Sequence, residues 1–307
     1  MGLWNTIVAG LTDLVVQLPL TLLLLFMAKV VMDLRLKWFH GVNAEKQISD
    51  YNNQAMAIMY LGYYIGVFIG FSGAIHAEGM ESSIGWLCIL GLASLALVHL
   101  GLFFCDVTIL FGINDVKEMA VPEPADAVAG ERTDKKAPAA AGAKLGNQAV
   151  ACVWAGSAVA SGLVINGALN DLDSGWLVTL IWYLIGQVGF ILVAWAYKKL
   201  TPYDDDAELA QNNRAVGWDM AGVLLAFGIL FRKAISGDFT SWTHDLLSLA
   251  VYLPIAVVIL LLLRWVIGLI FIRGSLTTLI VRDKNAGVGM ISGSLMALSA
   301  LALTYFM

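Results

Sequence analysis

Asp106, Asp219, Arg264 and His99 lie inside stretches of sequence otherwise built from apolar side chains. A charge at the centre of a bilayer costs roughly 2.5–3.5 kcal/mol on insertion scales, so such residues pair with one another or line a hydrated passage. These four residues are therefore a candidate transport path or a set of buried ion pairs. Arg264 stands nine residues before Arg273, about 13 Å along a helix from its expected end, and needs a partner. Asp219 or Asp106 is the expected one. Lys29 and Asp33, four apart, are expected to pair with each other, although they and Arg232 lie near enough to helix ends to reach water. His99, two turns from Asp106 on one helical face, is suited to a helix-helix hydrogen bond or to a proton relay. Cys88, Cys105 and Cys152 lack paired spacing, so no disulfide framework or metal site is indicated. With no nucleophile pair or phosphate loop, no cofactor is expected and an enzyme ranks third.

The elements that must position these groups follow from composition. With 59% hydrophobic and 13% charged residues in 307, the chain has too little polar surface for a soluble globule. Crossing a bilayer takes roughly 20 helical residues. Apolar stretches of that length fall at about 8–35, 53–75, 84–112, 147–169, 175–198, 213–235, 245–273 and 284–306. Barrel strands alternate apolar and polar residues, whereas runs such as Leu20 to Phe26 are apolar on every side. The fold class predicted is all-α, a polytopic integral membrane protein of eight helices. A net charge of −5 carries no nucleic-acid signal.

Basic residues give the orientation, because Lys and Arg near helix ends are retained in the cytoplasm. The links from odd to even helices hold Arg35, Lys37, Lys46, Lys117, Arg132, Lys135, Lys136, Lys144, Lys198, Lys199, Arg273, Arg282 and Lys284; the even-to-odd loops hold acids, Glu78, Glu81, Asp171, Asp173, Asp238 and Asp245, the exception being Arg232 with Lys233 at the outer end of the sixth helix. Both termini are predicted periplasmic, with Trp4, Trp86, Trp176 and Trp242 at the outer starts of the odd helices. No basic n-region or cleavage site marks a secretory signal, and the myristoylation pattern of Met1, Gly2 and Thr6 falls on an end predicted outside the cytosol.

Each even helix opens with a shared signature: Asn53, Ala55, Gly62 and Gly66; Asn147, Ala149, Gly156 and Ala160; Asn213, Ala215, Gly222 and Ala226. A fourth copy, Asn285, Ala286, Gly293 and Ala297, has its asparagine one place late. Asparagine at a helix start caps a bare backbone N–H, and small residues four apart let helices approach closely in lipid. The repeating unit is a helix pair, and an even number of crossings keeps successive copies parallel. Four units follow: 1–76, 77–170, 171–236 and 237–307. The link at about 113–146, with Pro122, Pro124, Pro138 and Ala139 to Ala141, is predicted to be a disordered cytoplasmic loop.

In this pattern, and in Arg282, Asp283 and Asn285 before the last helix, the chain resembles the YjfL-type bacterial inner-membrane proteins, domain-of-unknown-function family 350. The resemblance implies the fold and an inner-membrane location, as a doubled version of the usual two units. It also implies a neighbourhood of envelope-stress and polyamine-related proteins. Two function classes follow. One is a transporter or channel for a small cation or polyamine, its acidic outer loops gathering cations. The alternative is a non-transporting scaffold whose cytoplasmic loops recruit an envelope-stress partner. The lipid bilayer is the expected surrounding, and a homo-oligomer is left open.

Overall fold

A computed structural model describes residues 3–75, 84–121, 146–170, 175–236, 239–270 and 275–306. Glu78, Glu81, Asp171, Asp173, Asp238, Arg273 and the prolines of the long link lie outside these residues, as do Met1 and Gly2. The helices are α1 (Leu3–Arg35), α2 (Ala44–Ser49), α3 (Gln54–Ile75), α4 (Ile84–Phe104), α5 (Asp115–Met119), α6 (Gln148–Leu169), α7 (Trp176–Leu200), α8 (Asp205–Ala210), α9 (Arg214–Ile235), α10 (Trp242–Ile270) and α11 (Ala286–Leu303). No strand occurs among the described residues. Among the described residues, eight helices are long and apolar enough to cross a membrane. Short π-helical turns extend α1 over Leu36–His40 and α4 over Cys105–Ile109, and a third, Thr278–Arg282, precedes α11.

The four helices that begin with the asparagine signature, α3, α6, α9 and α11, stand side by side in one row. A second layer covers one face of it: α4 lies against α3 and α6, α7 against α6 and α9, α10 against α9 and α11, and α1 against α3 and α4. Small residues make the row tight. A methyl group added at Gly156 would lie 2.9 Å from Cα of Ala221, closer than any side chain can sit, so the backbones themselves touch.

Counted from the cap asparagine, the contact registers coincide. Gly62 faces Ala155, Gly156 faces Ala221 and Gly222 faces Gly293, in each case the ninth residue after one cap meeting the eighth after the next. Asn285 is therefore in place. The sequence reading that set it one residue late is corrected: it is Ala286, Gly293 and Ala297 that sit one place early, Gly293 occupying the place of Ala155 and Ala221 rather than of Gly222.

All four asparagines cap their helices, and the first three do a second job. The side-chain oxygen accepts from a backbone N–H in the first turn, Met56 for Asn53, Val150 for Asn147, Ala215 for Asn213 and Val288 for Asn285. In the first three the amide nitrogen then donates to a carbonyl in the following link: Asn53 to Met119 at 2.8 Å, Asn147 to Leu209 at 2.7 Å and Asn213 to Ile280 at 2.9 Å. The residue before the cap turns left-handed in three cases, Asn52 at φ 50°, Asn212 at φ 58° and Lys284 at φ 47°. The doubled asparagines follow from this, since asparagine tolerates that conformation better than most residues.

Part of the long link is ordered. Residues 113–121, expected to belong to a disordered loop, include α5, capped by Asn114. Gln47 holds the strand of chain beyond it, its amide donating to the Val121 carbonyl and accepting from the Val121 N–H, both at 2.8 Å. Residues 122–145 lie outside the described residues.

At its two ends the row changes character. The place held by Ala155, Ala221 and Gly293 is Leu61 on α3, and that of Gly162 and Gly228 is Phe68; on α11, Leu298 replaces Gly66, Ala160 and Ala226. Leu61, Phe68 and Leu298 are exposed.

Candidate functional site

The sequence-predicted residues fall into two separate clusters. In the first, α1 ends on Arg35, whose guanidinium meets Asp106 at 2.5 Å and the His99 ring at 3.4 Å. Tyr63 of α3 contacts the other ring nitrogen of His99 at 2.8 Å, and the Trp154 indole N–H of α6 donates to the second Asp106 oxygen at 3.1 Å. His99 and Asp106 thus share a partner. The π-helical turn after Phe104 carries Asp106 on α4 toward α1 and α6.

In the second cluster, Arg264 of α10 grips Asp219 of α9 through two bonds of 2.9 and 2.6 Å. The Tyr197 hydroxyl of α7 donates to the same carboxylate at 2.6 Å, and the guanidinium lies 5.3 Å from the Tyr197 ring centroid. Asp219 is fully buried. Of the two partners expected for Arg264, the structure provides Asp219, while Asp106 goes to Arg35. The four residues therefore do not line one path side by side. A cavity of about 280 Å³ on the link side, bordered by Thr201, Tyr203 and Thr277, reaches Arg264 and Tyr197. Lys29 and Asp33 pair at 2.6 Å, with Tyr60 also bonded to Asp33.

Sequence reasoning missed Arg35, Trp154, Tyr197 and a polar group at mid-span. Gln187, midway along α7, is only 2% exposed, yet neither amide atom has a partner among the described residues, and the nearby Ser161 hydroxyl of α6 is equally unpaired. Gly101 of α4 packs closely against both: a methyl group there would lie 2.6 Å from Ser161 Oγ and 3.3 Å from Gln187 Oε1. One turn nearer the links, Cys105 donates to Ser157 at 3.1 Å. Toward the other side of the bundle, Arg232 bonds to Asn166, whose amide donates to the Ile69 carbonyl and to Ser72 at 2.9 and 3.0 Å. Arg232 is exposed as well, so it reaches water while bonded to Asn166.

The link face has its own cavity, about 780 Å³, between the end of α4, α7 and α8, with charged residues at one side of a largely apolar lining. Lys198 donates to the Ile109 carbonyl and to Asp206, at 2.6 and 2.5 Å. Burial pushes the Asp205 carboxyl up to about 6, against a bond from Thr201 and the Lys198 charge. Burial also raises the Tyr203 phenol well above its ordinary range. Among the described residues no group of three His, Cys, Asp or Glu could hold a metal.

A family profile described as a domain of unknown function, DUF350, matches residues 6–129 and 171–307. The chain belongs to the DUF350 family. The first DUF350 stretch holds Arg35, His99 and Asp106, and the second holds Tyr197, Asp219 and Arg264. Helix α6, which supplies Trp154 and Ser161, falls between them. Comparison with curated proteins and with solved structures finds no match.

Proposed function

We propose that the chain is a YjfL-type bacterial inner-membrane protein of four tandem parallel helix pairs that moves a small cation, polyamines included, along the junction of α4, α6 and α7. The tandem reading draws on the common contact register of the row and on the asparagine bonds from one unit to the next link. The basic links and the acidic opposite loops favour termini in the periplasm.

One observation carries the transport reading. Gln187 and Ser161 are buried at mid-span with unmet hydrogen-bonding capacity, and a buried amide without a partner is costly. Water or a passing solute supplies what the protein withholds. The Arg35–Asp106 group toward the links and the Arg232–Asn166 group toward the other side extend this polar region lengthwise. Proteoliposomes test it: cation or polyamine uptake abolished by Gln187→Leu and reduced by Asp106→Asn, whose carboxylate lies beside α6 at the link end of this junction, is the expected result.

A scaffold recruiting an envelope-stress partner through α2, α5 and α8 is the second reading. It is favoured by the arginines that already neutralise Asp106 and Asp219. Absence of flux for every cation tried leaves that reading standing.

A further inference from the structure

The second layer covers only one face of the row. The opposite face is a trough of about 470 Å³ shared by α3, α6, α9 and α11. Five residues past the caps it is lined by Ile58, Cys152, Trp218 and Met290, and twelve past by Val159 and Ala297 among others. At 1.5 Å per residue these walls run from about 8 to about 18 Å below the helix starts, the depth of the acyl chains in the leaflet beside the links. Ser294 brings the one hydroxyl to an otherwise apolar lining.

The mouth is polar and basic. One residue past the first three caps, on the same helical face as the lining, stand Gln54, Gln148 and Arg214. The Gln148 amide donates to Gln54 at 2.9 Å, and Arg214 donates to Gln148 at 3.4 Å. Arg214 is exposed, and among the described residues no carboxylate pairs with it.

We infer that this trough is a phospholipid site: an acyl chain fills the apolar cavity and an anionic headgroup phosphate rests on Arg214, with Gln148 and Gln54 beside it. A guanidinium matches phosphate oxygens bidentately, and it repels the ammonium that zwitterionic headgroups carry next to their phosphate. The inference needs only a bilayer and is independent of whether anything is transported.

Binding of spin-labelled phosphatidylglycerol and phosphatidylcholine to the delipidated full-length protein in micelles tests it. The unmodified protein should prefer phosphatidylglycerol by about fivefold, the worth of one basic residue at a charged interface. Arg214→Gln should erase that preference, and Ala297→Phe, which fills the trough, should lose saturable binding of both lipids. Arg214 is exposed at a helix start, so its variant stays informative even if Ala297→Phe fails to fold. Equal affinity for the two lipids in the unmodified protein overturns the proposal. So does undiminished binding by folded Ala297→Phe, or an interchain disulfide formed by Ala297→Cys with no lipid retained, which assigns the face to a second copy.

Discussion

Asp219 has no contact with water, and two groups from neighbouring helices converge on it. Removing either member of such a pair leaves an uncompensated buried charge, so Asp219→Ala or Arg264→Ala should destabilise by about 3–5 kcal/mol. The double variant should cost clearly less than the sum, as equilibrium unfolding in mixed micelles will show; strict additivity would mean that the two do not interact in the folded protein. Lys284 invites the opposite result. Its left-handed backbone, φ 47°, suits glycine or asparagine, and Lys284→Gly should stabilise by roughly 0.5–1 kcal/mol. Asp205 sets a pH dependence. Its carboxyl rises from the ordinary 3.8 to about 6 on folding, so the native chain binds that proton more tightly than the unfolded one. Its contribution is fully present below pH 3.8 and is lost as pH rises through about 6. Thermal melts should therefore fall across this window, and Asp205→Asn should flatten that part of the curve. That Arg264 required a partner was legible in the sequence, because position in an apolar run implies burial. Which acid it met was not, because the choice depends on which helices are lateral neighbours. Arg35 was hidden for a related reason: at a helix end it looks like a topology signal, yet it reaches Asp106, 71 residues away.

At the scale of helices, the apolar runs gave all eight spans, and the asparagines marked where four of them begin. The second bond of each asparagine was out of reach of sequence reasoning, since the accepting carbonyls of Met119, Leu209 and Ile280 belong to other links. Asn213→Ala removes both a cap and a buried bond, and should cost about 2 kcal/mol, against about 1 for a surface cap alone. Hydrogen exchange should show α9 and the turn at 278–282 loosened together. Gly222→Leu should be worse tolerated than the same change at Gly268, where nothing lies within 4 Å of an added methyl, because Gly222 abuts Gly293; folded yield by size-exclusion chromatography distinguishes them. The offset fourth signature misled for a simple reason. Alanine and glycine both pack as small residues, so a shifted match looks like a shifted cap.

For the molecule as a whole, a row held by one repeated contact register needs something to stop it, as stacked-repeat proteins need capping units. Leu61 and Phe68 at one end, and Leu298 at the other, supply bulk where the interior contacts use alanine or glycine. Replacing Leu61 with alanine together with Phe68 and Leu298 with glycine should let one molecule's α11 dock on another's α3. Light scattering should then detect larger assemblies than the unmodified protein forms. The asparagine bonds have a direction as well: each reaches forward, to a carbonyl made later in synthesis. A nascent chain leaving the ribosome cannot close one hairpin's clasp until the next connector has emerged. A chain stalled after α9 therefore leaves Asn213 without the Ile280 carbonyl, which has not yet been translated.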